Sequence, residues 1–329
     1  MAYEQERAAA IEAVEKAGRL CQVVQAALVD ESSLAKKDKS PVTVADFGAQ
    51  AVVSHTLVSA FPDVPLVGEE DADELRQAEN AALRAQVVEH VQRAEPGLGE
   101  SEILELIDRG TDSGGADGPH WTLDPIDGTK GFLRLDQYAV ALALIENGEV
   151  VLGVLGCPNL PIDSGAPDGE RGCLFVAVKG EGAFVRPLAG GDETRIGVTG
   201  VTNTADASFC ESVESGHSSQ DDSAKVAEKL GITAPPFRID SQCKYAAVAR
   251  GDASIYLRLP TRKDYEEKIW DHAAGSIVVT EAGGRVTDVT GADLDFSIGR
   301  TLAKNEGVVV TNGHVHDLVV AAVREVLGV

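Results

Sequence analysis

Two aspartates, Asp124 and Asp127, stand three residues apart in the segment WTLDPIDGTKGF, residues 121–132. Like charges held that close call for a shared proton or a shared cation. Pro125 fixes its own φ and restricts Asp124, so the bend between the two acids is stiff. The apolar lead-in predicts a strand that ends at this motif and projects both carboxylates into a loop. Gly128 and Thr129 follow with backbone N–H groups at an expected helix N-terminus, an arrangement that receives an anion. Hard oxygen ligands beside an anion cradle suit magnesium and phosphate. Taken alone, the stretch also reads as an acidic Asp-Pro turn.

Three further places carry acids with the same ambiguity. Glu69 and Glu70 follow a glycine in VGEED, residues 67–71, which alone reads as a solvated acidic loop. Asp271 opens a helix in IWDHAAGSIVVTEAGG, residues 269–284, where an N-cap is the plain explanation. The small Ala273, Ala274 and Gly275 beside it permit close approach of a backbone or a ligand. Asp46 lies in SPVTVAD, residues 40–46, in the first turn of a helix that Thr43 can cap. Haloacid-dehalogenase phosphatases place Asp-x-Asp-Gly-Thr after a strand. Here the spacing is Asp-x-x-Asp-Gly-Thr, which argues against a covalent aspartyl mechanism.

In combination, GEE, DPIDGTKGF and WDHAAG…EAGG resemble the lithium-sensitive, magnesium-dependent phosphatase superfamily that includes inositol monophosphatase. SPVTVADFGAQ, DQYAVALALIENGEVVLGVLGCPNLP, ESGHSSQ, RIDSQCKYAAVARGD, IYLRLP and KIWDHAAG resemble its 3′(2′),5′-bisphosphate nucleotidase branch, as found in plants and fungi. The resemblance covers nearly the whole chain and is weakest at 72–118, 161–172 and 187–207. It implies a layered α-β-α-β-α sandwich of α+β and α/β character. It also implies two to three Mg²⁺ ions held by Glu69, Asp124, the Ile126 carbonyl, Asp127 and Asp271. Asp46 and Thr129 would orient and deprotonate the attacking water. Gly128 and Thr129 would receive the phosphate, while His217, Ser241, Lys244 and Arg258 would hold an adenosine bisphosphate. The implied reaction is removal of the 3′-phosphate of adenosine 3′,5′-bisphosphate, and of 3′-phosphoadenylyl sulfate, with inhibition by lithium and sodium. An inositol polyphosphate 1-phosphatase is the enzyme alternative, and a catalytically silent nucleotide sensor is the alternative of another class. Phe47 stands where many relatives have Tyr, and Cys243 where they have a small residue. Cys157 and Cys173, bracketing the loop 158–172, are candidates for a reversible disulfide.

The elements that must carry these residues are legible from periodicity. A helix is expected over 4–28, with Ile11, Val14, Leu20, Cys21, Val24 and Leu28 on one stripe, and a second from Thr43 to about 59. VPLVG predicts a short strand; residues 77–93 and 101–107 predict helices. WTLD, YAVALALI and EVVLGVLGCP predict strands, the last two joined by a turn at Glu146, Asn147 and Gly148. CLFVAVKGEGAFVR predicts a hairpin, and PLAGGDETR a linker that divides the chain into domains 1–195 and 196–329. The second part alternates: strands at SFCESVE, FRID, SIYLRLP, GRVTD and GVVVTNG, and helices over 219–230, 244–250, 271–282 and 314–327.

Composition bounds the remaining choices. The 329 residues are 43% hydrophobic, enough for a substantial core, and 29 basic against 53 acidic residues give a net charge of −24. That surface repels nucleic acid and anionic membranes, and would repel a phosphorylated substrate too unless cations reverse its sign locally. Five cysteines without CxxC spacing argue against a disulfide framework and a structural zinc site. The acidic, amphipathic N-terminus is unlike a signal or transit peptide. The expectation is a soluble intracellular protein, a monomer or weak dimer. It would sit in the cytoplasm, or in a plastid or mitochondrion had a transit peptide been removed.

Overall fold

The computed structural model describes residues 2–30, 40–214, 218–262 and 265–329. Of the predicted stripe of the first helix, α1 (Glu4–Asp30), Ile11, Val14, Leu20, Cys21 and Val24 all enter one core, and the Leu28 side chain lies outside the described residues. The second helix, α2 (Ser40–Ala60), begins earlier than Thr43, which therefore sits inside it rather than at its cap. Pro41 in its first turn is consistent with that start, because the missing N–H falls where no intrahelical partner exists. Val42, Ala45, Phe47, Val52, Val53 and Leu57 are buried around its circumference, as it lies against α1 and against the sheet below.

That sheet has seven strands in sequence order: β1 (Leu66–Gly68), β2 (Pro119–Asp127), β3 (Ala139–Glu146), β4 (Glu149–Pro161), β5 (Arg171–Val178), β6 (Gly182–Pro187) and β7 (Thr194–Arg195). Only β1 and β2 pair in parallel; the rest is an antiparallel meander. Three helices, α3 (Asp73–Arg76), α4 (Ala81–Ala94) and α5 (Glu100–Asp108), fill the connection from β1 to β2, and α6 (Thr129–Arg134) follows β2. The acidic loop after β1 leads directly into α3, whose Leu75 is buried in the core with α4 and α5.

The second sheet has five strands in the order β11-β12-β10-β8-β9. These are β8 (Phe209–Glu211), β9 (Phe237–Arg238), β10 (Ile255–Arg258), β11 (Arg285–Thr287) and β12 (Val308–Thr311). Two helices, α8 (Cys243–Arg250) and α9 (Ala273–Glu281), lie between the sheets, and their apolar residues share one core with β3, β4, β5, β10 and β12. The outer face of the second sheet is covered by α7 (Gln220–Leu230) and α10 (His316–Leu327). The result is the expected layering of helices, sheet, helices, sheet, helices. Small residues set the closeness of the middle layers: a Cβ on Gly153 would lie 2.4 Å from Ile277 and 2.9 Å from the Ala274 carbonyl oxygen. Gly275 meets Tyr245, whose ring a Cβ would approach to 2.4 Å. The small residues after Asp271 therefore serve α9 packing. No helix among the described residues is long and apolar enough to cross a membrane.

Candidate active site

The acidic motif does not leave the sheet before its aspartates. Strand β2 runs through Asp127, with Asp124 opposite Ala141 and Asp127 opposite Ala139. Three steps on β2 thus face two on β3, which is a β-bulge. In a regular strand, residues three apart point to opposite faces. The extra residue restores the phase, so that both acids serve one site. Asp124 is 2% exposed and Ile126 1% exposed.

Gly128 then turns the chain with φ 91°, a left-handed conformation that favours glycine, and α6 starts at Thr129. A Cβ at Gly128 would lie 2.9 Å from the Cβ of Ser241, so the two segments touch backbone to side chain. Ser241 is itself left-handed at φ 65°. The next N–H, of Gln242, donates to Asp127 Oδ2 at 2.6 Å. The second half of the chain is thereby fastened onto the motif.

Electrostatics bring five acids into one place. Burial first, then Glu69, Asp127, Asp271 and Asp46, push the Asp124 carboxyl well above the usual range. Glu69, sharing a hydrogen bond with Asp124, is pushed up to about 8 by burial, Asp271, Glu70 and Asp127. Asp127 is pushed up to about 6 by burial and Asp271, while Lys244, Arg258 and the Gln242 N–H oppose the rise. Asp46, on α2 and 7% exposed, is held well above the carboxylate range by burial, with Glu70 and Glu69 adding to it. Asp124 Oδ1 is buried with no hydrogen-bond partner among the described residues. A buried carboxylate oxygen without a donor, among four other acids, is what a divalent cation satisfies, and the donors here are the hard oxygens that Mg²⁺ takes.

A model of the inositol monophosphatase family matches residues 2–327. The chain belongs to the inositol monophosphatase family. Enzymes of this family are metal-dependent, which the acid cluster fits. The chain is 48% identical to the 3′(2′),5′-bisphosphate nucleotidase of Emericella nidulans, with 99% of each covered. It is 49% identical to that of Oryza sativa (99% of this chain, 95% of the relative) and 47% to that of Schizosaccharomyces pombe (99% and 97%). Among solved structures, the inositol monophosphatase of Thermotoga maritima superposes with a TM-score of 0.63 at 23% identity, covering 97% of this chain and 96% of that one. That likeness speaks to the fold alone.

In this inositol monophosphatase-family chain, one cleft is lined by Asp127, Gly128, Asp271, Ser241, Lys244 and Arg258. Lys244, on α8, is 4% exposed; burial lowers its pKa, and its Nζ lies 5.2 Å over the Tyr256 ring. Arg258 ends β10 and pairs with Glu267 at 2.7 Å and Asp271 at 3.1 Å. Asp271 is not a helix cap: it closes a 3-10 turn (Ile269–Asp271) before α9. His217 lies outside the described residues. Glu267, Asp271 and His272 also bring ligand-type atoms within 4.8 Å of one another. Glu267, however, engages both His272 and Arg258, which help hold its carboxyl down to about 2 against its burial. The better candidate for a metal is therefore the group around Asp124.

Several supporting residues were not legible in the sequence. Gln50, fully buried on α2, donates to the carbonyls of Glu70 at 2.5 Å and Ile107 at 2.7 Å and accepts from the Glu70 N–H, holding the loop that presents Glu69. Arg300 donates to the Gly68 carbonyl at 2.6 Å and stacks 4.8 Å from the Trp270 ring centroid. Gln242 donates to the Trp270 carbonyl at 2.8 Å and accepts from the Gly275 N–H at 3.0 Å, so one side chain fixes both sides of Asp271. These bonds join residues 20 to 232 positions apart, and no local pattern announces them. Cys157 and Cys173 stand opposite each other in the β4–β5 ladder, both fully buried and free, with Arg250 Nη1 3.6 Å from Cys173 Sγ.

Proposed function

We propose that this chain is a 3′(2′),5′-bisphosphate nucleotidase, which cleaves the 3′-phosphate from adenosine 3′,5′-bisphosphate to give AMP and phosphate. It would treat 3′-phosphoadenylyl sulfate likewise. The observation that carries the reading is the cleft itself. The Gly128 turn, the acids Asp127 and Asp271 and two cations, Lys244 and Arg258, line it together. A substrate with two phosphates suits such a lining. The full-length similarity to the fungal and plant nucleotidases supports the same substrate.

Glu69, Asp124, the Ile126 carbonyl, Asp127 and Asp271 would hold two to three Mg²⁺ ions. Such ions, when bound, acidify a water and neutralise charge on the leaving oxygen. The remaining work falls to the chain. Gly128 and Thr129, at the turn into α6, would receive the phosphate oxygens on backbone N–H groups. Thr129 would orient the attacking water and pass its proton to Asp46, which is buried on α2. Attack in line forms the new P–O bond as the bond to the 3′-oxygen breaks, and that oxygen takes up a proton. Ser241, with Lys244, Arg258 and His217, would hold the rest of the nucleotide. Lithium and sodium would inhibit by displacing a magnesium.

Phosphate release from adenosine 3′,5′-bisphosphate and from inositol 1,4-bisphosphate, measured side by side with and without lithium, tests this. A clear nucleotide preference is expected. A strong inositol preference would establish the polyphosphate 1-phosphatase instead, and no release from either would favour a silent sensor.

A further inference from the structure

Arg258 is gripped from behind by one nitrogen. Its Nη2 lies 2.7 Å from Glu267 Oε2, 3.1 Å from Asp271 Oδ2 and 3.5 Å from the Tyr265 hydroxyl. Among the described residues, no hydrogen bond or ion pair engages Nη1 or Nε. Asp271 is also a candidate metal ligand, and a carboxylate that coordinates a cation has less to offer a guanidinium. Glu267 is then the acid that keeps Arg258 in place.

Glu267 is built for that task. Its backbone carbonyl accepts from the Leu302 N–H at 2.8 Å, and its Oε2 lies 3.1 Å from His272 Nε2. His272 is fully buried and its Nδ1 is 2.7 Å from the Tyr245 hydroxyl. Tyr245 is in turn held by Gly275 against its ring and by an edge contact with Tyr256 at 5.3 Å. A buried chain of side chains thus runs from α8 to the guanidinium at the cleft.

We propose that Glu267 is a positioning residue for substrate choice. It holds Arg258 through Nη2 and leaves Nη1 to donate to the phosphate that is not cleaved. The inference rests on the nucleotide reading above. An arginine fixed in advance loses less freedom when it binds, so the preference for two phosphates over one depends on the grip.

The test uses the full chain with Mg²⁺ and the variants Glu267→Gln and Glu267→Ala. Two substrates are compared, adenosine 3′,5′-bisphosphate and adenosine 3′-monophosphate, which lacks the second phosphate. Titration calorimetry with AMP and with inorganic phosphate gives a readout independent of turnover. The expected result is that the preference for the bisphosphate falls on the order of tenfold, the size of one charge-assisted hydrogen bond. The fall should lie mainly in KM, and AMP binding should weaken more than phosphate binding. Equal losses on both substrates, or a preference that survives in Glu267→Gln, would overturn the inference. A parent enzyme without any bisphosphate preference would overturn the nucleotide reading first. Should Glu267→Ala fail to fold by thermal unfolding, Glu267→Gln, of the same shape, carries the decision alone.

Discussion

Replacing Glu69 with Gln should make the metal-free protein more stable while weakening its response to magnesium. In the folded chain Glu69 is pushed up from 4.5 to about 8 by burial and by Asp271, Glu70 and Asp127. The sign follows from linkage. Below pH 4.5 the carboxyl is protonated both folded and unfolded, and nothing is lost. Between the two values the unfolded chain releases the proton and the folded one keeps it, so stability falls as pH rises and levels off above about 8. At about 1.4 kcal/mol per pH unit, the metal-free fold loses on the order of 4–5 kcal/mol across that window. Gln removes the titration and keeps an amide oxygen that can accept from the Asp124 carboxyl. Thermal unfolding in EDTA at pH 5 and pH 8 checks this. The variant should melt close to the parent at pH 5 and several degrees above it at pH 8, since 1 kcal/mol is roughly 2–4 °C in chains of 150–250 residues and less in longer ones. Added Mg²⁺ should raise the parent more than the variant. A gap independent of pH, or a variant that melts below the parent at pH 8 in EDTA, would refute the reasoning.

Two other outcomes follow from the geometry. Gly131→Ala would put a Cβ 2.1 Å from the Gln137 carbonyl oxygen, a backbone atom that cannot swing away, so α6 must shift. A loss of about 3 kcal/mol or more is expected by denaturant unfolding, and a change within about 0.5 kcal/mol would contradict the packing described. For the cysteines, we propose that a dithiol oxidant such as diamide links Cys157 to Cys173, two protons and two electrons passing to the oxidant. Linking should be slow, because burial holds both thiols protonated, Cys173 up to about 11. Mass spectrometry of the digested protein should find the 157–173 peptide pair; a link from Cys157 to Cys243 instead would reject the pairing.

The features written in local patterns were readable in advance. The α1 stripe, the β3–β4 turn at Asn147 and Gly148, and the acid motif with its glycine all obey short-range rules. What escaped depends on distant partners. Strand β2 continues through Pro125 because β3 supplies ladder partners on both sides of the bulge. The FRID stretch yields only a two-residue strand, Phe237–Arg238, because Ser241 must bend left-handed to meet Gly128. Asp271 looked like a cap and is instead fixed from both sides by Gln242. Glu267, which no local pattern singles out, is buried with its carbonyl bonded to the Leu302 N–H. In each case a residue type with an ordinary surface explanation is recruited by something far along the chain.

The bulge between Asp124 and Asp127 works like a reading frame. Deleting one residue there would leave every carboxylate of the cluster in the chain. It would nevertheless rotate one aspartate to the opposite face of the sheet, toward the layer of α1 and α2. What this corner of the protein cannot surrender is a count: two steps along one strand answered by three along its neighbour. Side-chain exchanges along β2 would be graded in their effect, whereas a change of length at this corner would be all or none.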